Sequence, residues 1–298
     1  MLRHRGWAIL RAMSVARVTL ENFKGHRLTE IPLGPLTVLV GGNSTGKTSV
    51  LEAIHLVASR VGTMQWYRTD LLAGEEVRQG TDGFRIRLDF QANADEFVEY
   101  GLRKRGDALL ERCAWATKGQ RGEREAELGG AVDATARQVL RQSLGERAPT
   151  YLALDPAALA APSTLEVAER TTEMHPSGRG LAGVLAILRL FEPEAFDRVL
   201  VSLREVVPSL RQIHVVRSAF AEERYDGEDD RTHTVKVQGT ALRFDFVGAT
   251  DIPATQVSEG TLLALGLITA AYLAPEQHVI LLDDLERGLH PTAQQALV

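Results

Sequence analysis

Residues 41–48 carry the side chains and the spacing of a phosphate-binding loop. Gly41, Gly46, Lys47 and Thr48 occupy the fixed positions of the pattern G-x-x-x-x-G-K-[ST]. Glycines let backbone N–H groups converge on an anion, and a helix start adds partial positive charge. The lysine can reach the outer phosphates, and the threonine hydroxyl can bind Mg²⁺. The predicted contacts to a nucleotide are Gly41, Gly42, Asn43, Ser44, Thr45, Gly46, Lys47, Thr48 and Ser49.

Two acidic residues, Asp283 and Asp284, end an apolar run that begins at His278. A buried parallel strand exposes its last residue at the carboxyl edge of the sheet, where ligands of open α/β folds bind. Asp283 is therefore a candidate for holding the water shell of Mg²⁺, and Asp284 for orienting or activating an attacking water. The alternative is a strand end with solvated acids, which a phosphate loop in the same chain makes less favourable.

A third motif, Ser258-Glu259-Gly260-Thr261, precedes an apolar helix at 262–271. Serine is a good N-cap, and a glycine at a helix start allows an anion to approach closely. Taken alone, the segment is more typical of a capped core helix than of a binding site.

The elements that must position these residues are predicted by hydrophobic patterning. The run 36–40 predicts a buried strand leading into the phosphate loop, and helical spacing of apolar residues after Thr48 predicts a helix. Clean alternation in 84–90 indicates an antiparallel sheet with one solvated face. Further strands are predicted at 16–23, 27–33, 97–103 and 109–116, the last two as a hairpin about Gly106 and Asp107.

The second half of the chain combines predicted helices with another hairpin. Segment 118–130 is charged and glycine-rich without periodicity, which predicts a loop. Helices are predicted at 131–144, at 180–191 and from Pro193 onward, and strands at 212–220 and 232–247 around an acidic loop.

Composition restricts the function classes. The net charge of −5 and the pI of about 5.9 provide no global basic field, so nucleic acid would have to be bound by a local patch. The single cysteine, Cys113, excludes an internal disulfide and a cysteine zinc site, and it fits a reducing, cytoplasmic location. No apolar run reaches the length of a membrane span, so no membrane partner is expected.

In combination, the motifs resemble those of ABC-type ATPases of the SMC/RecF/OLD branch, and of small AAA-family ATP-binding proteins of bacteria. Segment 18–24 resembles the first strand of that branch, 43–54 its phosphate loop and helix, 258–261 its signature motif, and 283–291 its Walker B and D-loop. The resemblance implies an α/β fold, namely a P-loop NTPase head of the ABC-ATPase type. Its mixed sheet core would carry an antiparallel β subdomain and a helical insert.

The same resemblance implies the domain organisation. We expect a disordered leader at 1–13 and an N-terminal ATPase lobe with the phosphate loop and antiparallel sheet at 14–116. A linker and helical insert at 117–210 and a C-terminal lobe with the signature motif, Walker B and D-loop at 211–298 would follow.

The family implies a head-to-head homodimer with two ATP molecules between the subunits. The signature residues Ser258, Glu259 and Gly260 of one copy would cap the γ-phosphate bound by the other copy, and hydrolysis would loosen the dimer. The implied Mg²⁺ ligands are Thr48 and Asp283. The implied catalytic residues are Lys47, Asp284 and Glu286.

Two departures from the family pattern bear on hydrolysis. Asp284 stands where glutamate is usual, and its side chain is one methylene shorter, which predicts slow hydrolysis or a substitute role for Glu286. The family also continues into a strand with a switch histidine, which the sequence up to Val298 does not contain.

Two functions compete on this evidence. One is an ATPase whose dimer cycle acts on DNA or on a separate nuclease or other effector protein, as in repair or anti-phage defence. The other is an ATP-dependent dimerisation switch with little hydrolysis. A transporter subunit is disfavoured because its signature motif would be longer. The basic clusters available for DNA are 103–105 and the trio Lys118, Arg121 and Arg124, which a solvated hairpin also explains.

Overall fold

The computed structural model describes residues 15–62, 77–90, 96–106, 108–127, 134–144, 149–164, 174–226, 231–274 and 279–283. The chain divides into two compact units, Met1–Tyr151 with Glu276–Leu281 and Leu152–Pro275 with Leu282–Val298. Each unit has an apolar core of its own.

The first unit is built on a six-stranded antiparallel sheet with the order β2-β1-β3-β4-β5-β6. Its strands are β1 (Val15–Phe23), β2 (His26–Pro32), β3 (Gly83–Phe90), β4 (Phe97–Arg105), β5 (Ala108–Thr117) and β6 (Gln120–Glu127). The strands predicted at 16–23, 27–33 and 84–90 and the hairpin about Gly106 are thereby confirmed.

Two helices pack on the apolar face of this sheet. Helix α1 (Lys47–Val57) continues into a π-helical turn (Ala58–Gly62), and α2 (Ala134–Leu144) packs beside it. The alternation predicted in β3 is the one observed, because the same face buries Phe84, Ile86, Leu88 and Phe90 together with residues of α1.

Two short strands, β7 (Thr150–Leu152) and β12 (Ile280–Leu282), pair with each other in a small separate sheet. In this sheet, Thr150 N donates to Val279 O and Asp283 N donates to Leu152 O. Because these bonds ascend along both strands, the two strands run parallel, as predicted for the strand that ends at Asp283.

The second unit combines helices with a long hairpin. Its helices are α3 (Pro156–Ala160), α4 (Leu181–Phe191), α5 (Pro193–Val206) and α6 (Glu259–Leu273). Strand β9 (Leu210–Asp226) pairs along its length with β10 (Arg231–Phe246), which also pairs with β8 (Ser163–Thr164) and β11 (Ala249–Pro253). The predictions of helices at 180–191 and after Pro193 and of strands at 212–220 and 232–247 are confirmed. The acidic loop predicted between these strands is shorter than expected, because β9 continues to Asp226.

The prediction of a buried strand at 36–40 is wrong. These residues are not in a strand, and Leu36, Val38 and Val40 are 63%, 69% and 91% exposed, whereas Leu39 packs on the first core. Apolar composition alone does not make a strand, which needs a hydrogen-bonded neighbour.

The prediction of a loop over 118–130 is also wrong, because β6 occupies most of it and pairs with β5. An edge strand is held by backbone hydrogen bonds from one side, so its sequence can be charged on both faces without showing apolar alternation. Among the helices of the described ranges, none has the length and hydropathy needed to cross a membrane.

Candidate functional site

The backbone of the phosphate loop has a conformation that depends on its glycine. Gly46 is the N-cap of α1 and lies in the left-handed region at φ 92°, and Ser44 also has a positive φ of 62°. Since Gly46 has no side chain to cap the helix, the N–H groups of the first turn keep their capacity to bind an anion. The predicted turn and helix start are therefore present in the structure.

The lysine and threonine of the loop bind its carbonyl groups. Lys47 Nζ donates to Gly41 O at 2.9 Å and to Gly42 O at 3.0 Å, and Thr45 Oγ1 donates to Gly42 O at 2.9 Å. These bonds hold the ammonium group within the loop, next to the first turn of α1. The predicted residues Gly41, Gly42, Asn43, Ser44, Thr45 and Thr48 are exposed, and Gly46, Lys47 and Ser49 are half-buried.

The hairpin that joins β1 to β2 contacts this loop, which the sequence analysis missed. His26 Nε2 lies 3.1 Å from Gly46 O, and His26 Nδ1 lies 2.9 Å from Thr29 Oγ1. Lys24 forms an ion pair with Glu52 of α1 at 2.5 Å. The available signal was weak, because the turn at 24–26 precedes the loop by only some fifteen residues but belongs to no phosphate-loop pattern.

The signature segment begins α6 as predicted. The Ser258 hydroxyl accepts from Thr261 N at 3.3 Å and lies 2.8 Å from Thr261 Oγ1. Ser258 and Glu259 are exposed and Gly260 is half-buried, whereas the following turns of the helix are mostly buried in the second core. The segment is thus the cap of a core helix with an exposed N-terminus, and its contact with a nucleotide stays a prediction.

The acidic residues are described only in part. Asp283 follows β12 and is half-buried, as expected for the residue after a parallel strand. Asp284 and Glu286 lie outside the described residues. Lys47 and Thr48 belong to the first unit and Asp283 to the second, so the Mg²⁺ roles of Thr48 and Asp283 stay predictions.

The two basic clusters lie at opposite ends of β5. Arg103, Lys104 and Arg105 are exposed at the turn from β4 to β5, and Lys118 and Arg121 are exposed at the turn from β5 to β6. Arg124 is exposed further along β6, opposite Cys113. Because β5 separates the two turns, the clusters do not form one continuous patch.

Comparison with protein families identifies the chain. Residues 13–126 match the family described as "AAA ATPase domain", and residues 141–298 match the family described as "AAA domain, putative AbiEii toxin, Type IV TA system". The second match covers more than half of the sequence. The chain belongs to the AAA ATPases. Within them it is an ABC-type ATPase of the SMC/RecF/OLD branch.

Curated relatives of the ATPase share parts of its sequence. It is 47% identical over 45 residues to the OLD nuclease of Thermus scotoductus, which covers 15% of the chain and 8% of the relative. It is 30% identical over 141 residues to the DNA double-strand break repair Rad50 ATPase of Methanopyrus kandleri, a match that covers 44% of the chain and 15% of the relative. It is 30% identical over 118 residues to the DNA replication and repair protein RecF of Vibrio vulnificus, strain YJ016. This match covers 39% of the chain and 30% of the relative.

These matches span less than a third of the length of each relative. Among solved structures, the ATPase is similar to the recombination mediator protein RecF with ATP, from the RecFOR pathway. The TM-score is 0.42 and the sequence identity 13%, and the match covers 98% of the ATPase and 90% of the RecF chain.

Proposed function

We propose that this ATPase binds Mg-ATP through residues 41–49, forms a head-to-head homodimer around the nucleotide and hydrolyses it, acting in a reducing cytoplasm. The observation that carries the proposal is the start of α1, where Gly46 leaves the helix uncapped by any side chain and Lys47 lies within the loop. Helix N–H groups and one ammonium group are the ligands that a nucleotide's phosphates need.

The dimer part of the proposal is supported by the exposed N-terminus of α6. Ser258 and Glu259 are accessible to a second copy, and a helix N-terminus favours a negatively charged ligand. A γ-phosphate contacted by both copies would stabilise the dimer only while ATP is intact.

The process that the ATPase serves is proposed from its relatives. Rad50 and RecF are named for DNA repair and OLD for a nuclease, which favours a repair or anti-phage process acting on DNA or through a separate nuclease or effector. The exposed basic residues at 103–105 are a candidate contact to the DNA backbone.

The alternative function is an ATP-dependent dimerisation switch with little hydrolysis that controls an effector. Asp284 favours it, because the shorter carboxylate is less well suited to reach the attacking water. Phosphate release by wild type, Asp284→Glu and Asp284→Asn separates the two functions. A rate that rises at least tenfold with glutamate supports the switch, whereas an unchanged rate removes the reason for it.

The decisive experiment measures molar mass by light scattering with and without Mg-ATP. We expect nucleotide-dependent dimers for wild type, none for Lys47→Ala, and unchanged dimers for the control Lys236→Ala, an exposed lysine on β10. Ser258→Arg should bind ATP and stay monomeric. A Lys47→Ala protein that still binds Mg-ATP and dimerises would refute the proposal.

A further inference from the structure

The carbonyl group of Gly46 is shared between two donors. It accepts the first hydrogen bond of α1 from Val50 N at 3.2 Å, and it lies 3.1 Å from His26 Nε2 on β2. A carbonyl oxygen only accepts hydrogen bonds, so His26 Nε2 must carry a proton in this contact. The other ring nitrogen lies 2.9 Å from Thr29 Oγ1, whose hydroxyl can donate to it in the neutral ring.

Together with the bond from Val50 N, this contact restrains the direction in which the N–H group of Lys47 points. In a planar trans peptide the C=O of one residue and the N–H of the next point in opposite directions. Because Gly46 O accepts from both Val50 N and His26, Lys47 N–H points away from these two donors and outward from the start of α1. That N–H is among those with which a helix N-terminus binds a phosphate.

The ring of His26 also limits which residue can occupy position 46. A Cβ atom added at Gly46 would overlap the imidazole at Nε2 and Cε1. The hairpin and the loop are thus in direct contact, and this contact is held at the far end of the ring by Thr29 and nearby by the ion pair between Lys24 and Glu52.

We infer that His26 is a positioning residue of the nucleotide site. Its Nε2–H fixes the Gly46–Lys47 peptide in the orientation that presents the N–H of Lys47 to a phosphate. The inference rests on the proposed binding of Mg-ATP at this loop, and it adds a donor from outside the loop motif. The contact needs an N–H donor at Nε2 and does not require a positive charge.

The test compares two substitutions of similar length and volume, His26→Gln and His26→Met. Glutamine offers an amide N–H near the position of Nε2, whereas methionine has no donor. The affinity for Mg-ATP and for Mg-ADP is measured by calorimetry, and the melting temperature is measured without nucleotide. Arg27→Gln, an exposed neighbour on β2, is the control.

We expect His26→Met to bind both nucleotides roughly three- to tenfold more weakly, the loss typical of one hydrogen bond, with His26→Gln within about twofold of wild type. The control should match wild type. Equal binding by the methionine and glutamine variants would overturn the inference. If wild type and Lys47→Ala both fail to bind nucleotide, the proposed function fails first, which distinguishes the two results.

Discussion

At the residue scale, glycine is required at position 46 for two reasons, its backbone conformation and the proximity of His26. Its φ of 92° is open to glycine, and a side chain at this position would overlap His26. The chain offers a matched position in Gly80, which has a similar φ of 84° but no atom within 4 Å of an added Cβ. The two positions separate backbone strain from the contact with His26.

We predict that Gly80→Ala lowers the free energy of unfolding by about 1–2 kcal/mol through strain in the left-handed region alone. Gly46→Ala should cost at least as much and also abolish detectable binding of Mg-ATP, because the loop must move away from His26. Chemical denaturation and calorimetry measure both effects. Wild-type affinity in Gly46→Ala would show that the loop tolerates this movement.

A second residue-scale feature is the half-buried imidazole of His55 on α1, whose ring lies 5.7 Å from that of Tyr151. Burial is the larger influence and lowers the pKa of His55 from its ordinary value of 6.5, against a smaller opposing effect of the Pro149 backbone. The unfolded chain therefore binds a proton more readily than the folded chain. Stability is full above about pH 6.5 and is lost as the pH falls toward the lowered pKa.

We predict that the first unit of the wild type loses stability below pH 6.5 by up to roughly 1.4 kcal/mol per pH unit, and that His55→Gln removes this part of the slope. Urea titrations at several pH values measure it. His175→Gln, at an exposed position of the second unit, should leave the slope unchanged. Parallel slopes for wild type and His55→Gln would contradict the burial argument.

At the element scale, the solvent-facing side of the six-stranded sheet carries charges that alternate in sign from strand to strand. Arg85 of β3 pairs with Glu21 of β1 and lies 3.9 Å from Glu99 of β4. Arg112 of β5 pairs with Glu99 at 3.0 Å and with Glu123 of β6 at 2.6 Å. Because Glu99 is buried, its two arginines matter more than an exposed pair would.

The hydrogen bond from Arg112 lowers the pKa of the Glu123 carboxyl. The ion pair is therefore present at neutral pH and is lost as the pH falls through that lowered value. This ion pair adds to the backbone pairing that holds the charged edge strand β6, in the segment that patterning predicted to be a loop.

We predict that Arg112→Met lowers the free energy of unfolding by roughly 1–3 kcal/mol, because it leaves Glu99 with one more distant partner. Arg103→Met, at the exposed end of β4, should change it by less than about 0.5 kcal/mol. Denaturant titration monitored by tryptophan fluorescence measures both. Equal effects of the two substitutions would show that the buried carboxylate gains nothing from Arg112.

At the scale of the whole molecule, the two units have separate cores, and no buried residue is shared between the two core clusters of the described chain. Ile86 is fully buried in the first core and Leu203 in the second. All three tryptophans of the sequence, Trp7, Trp66 and Trp115, precede residue 152. Tryptophan fluorescence therefore reports the first unit, whereas far-ultraviolet circular dichroism reports both.

We predict that Leu203→Ala lowers the free energy of unfolding of the second unit by about 2–5 kcal/mol. It should shift part of the circular dichroism transition and leave the fluorescence transition in place. Ile86→Ala should shift the fluorescence transition by a similar free energy. Coincident shifts of both signals in both variants would show that the units unfold as one cooperative block.

The sequence was sufficient where local chemistry decides the structure. The glycine-lysine spacing of 41–48 predicted the loop and the start of α1, because a left-handed N-cap and an uncapped helix start follow from residue type. Ser258 predicted the cap of α6, and the alternation in 84–90 predicted the buried face of β3.

Tertiary structure decided the features that depend on a distant segment of the same chain. Patterning placed 36–40 in a buried strand and 118–130 in a loop, because composition does not reveal which backbone finds a hydrogen-bonded neighbour. The same reason hid His26, whose contact with Gly46 joins residues twenty positions apart. Motif residues carry their chemistry in their type and spacing, whereas the neighbour that holds a motif in place is chosen only when distant segments pack together.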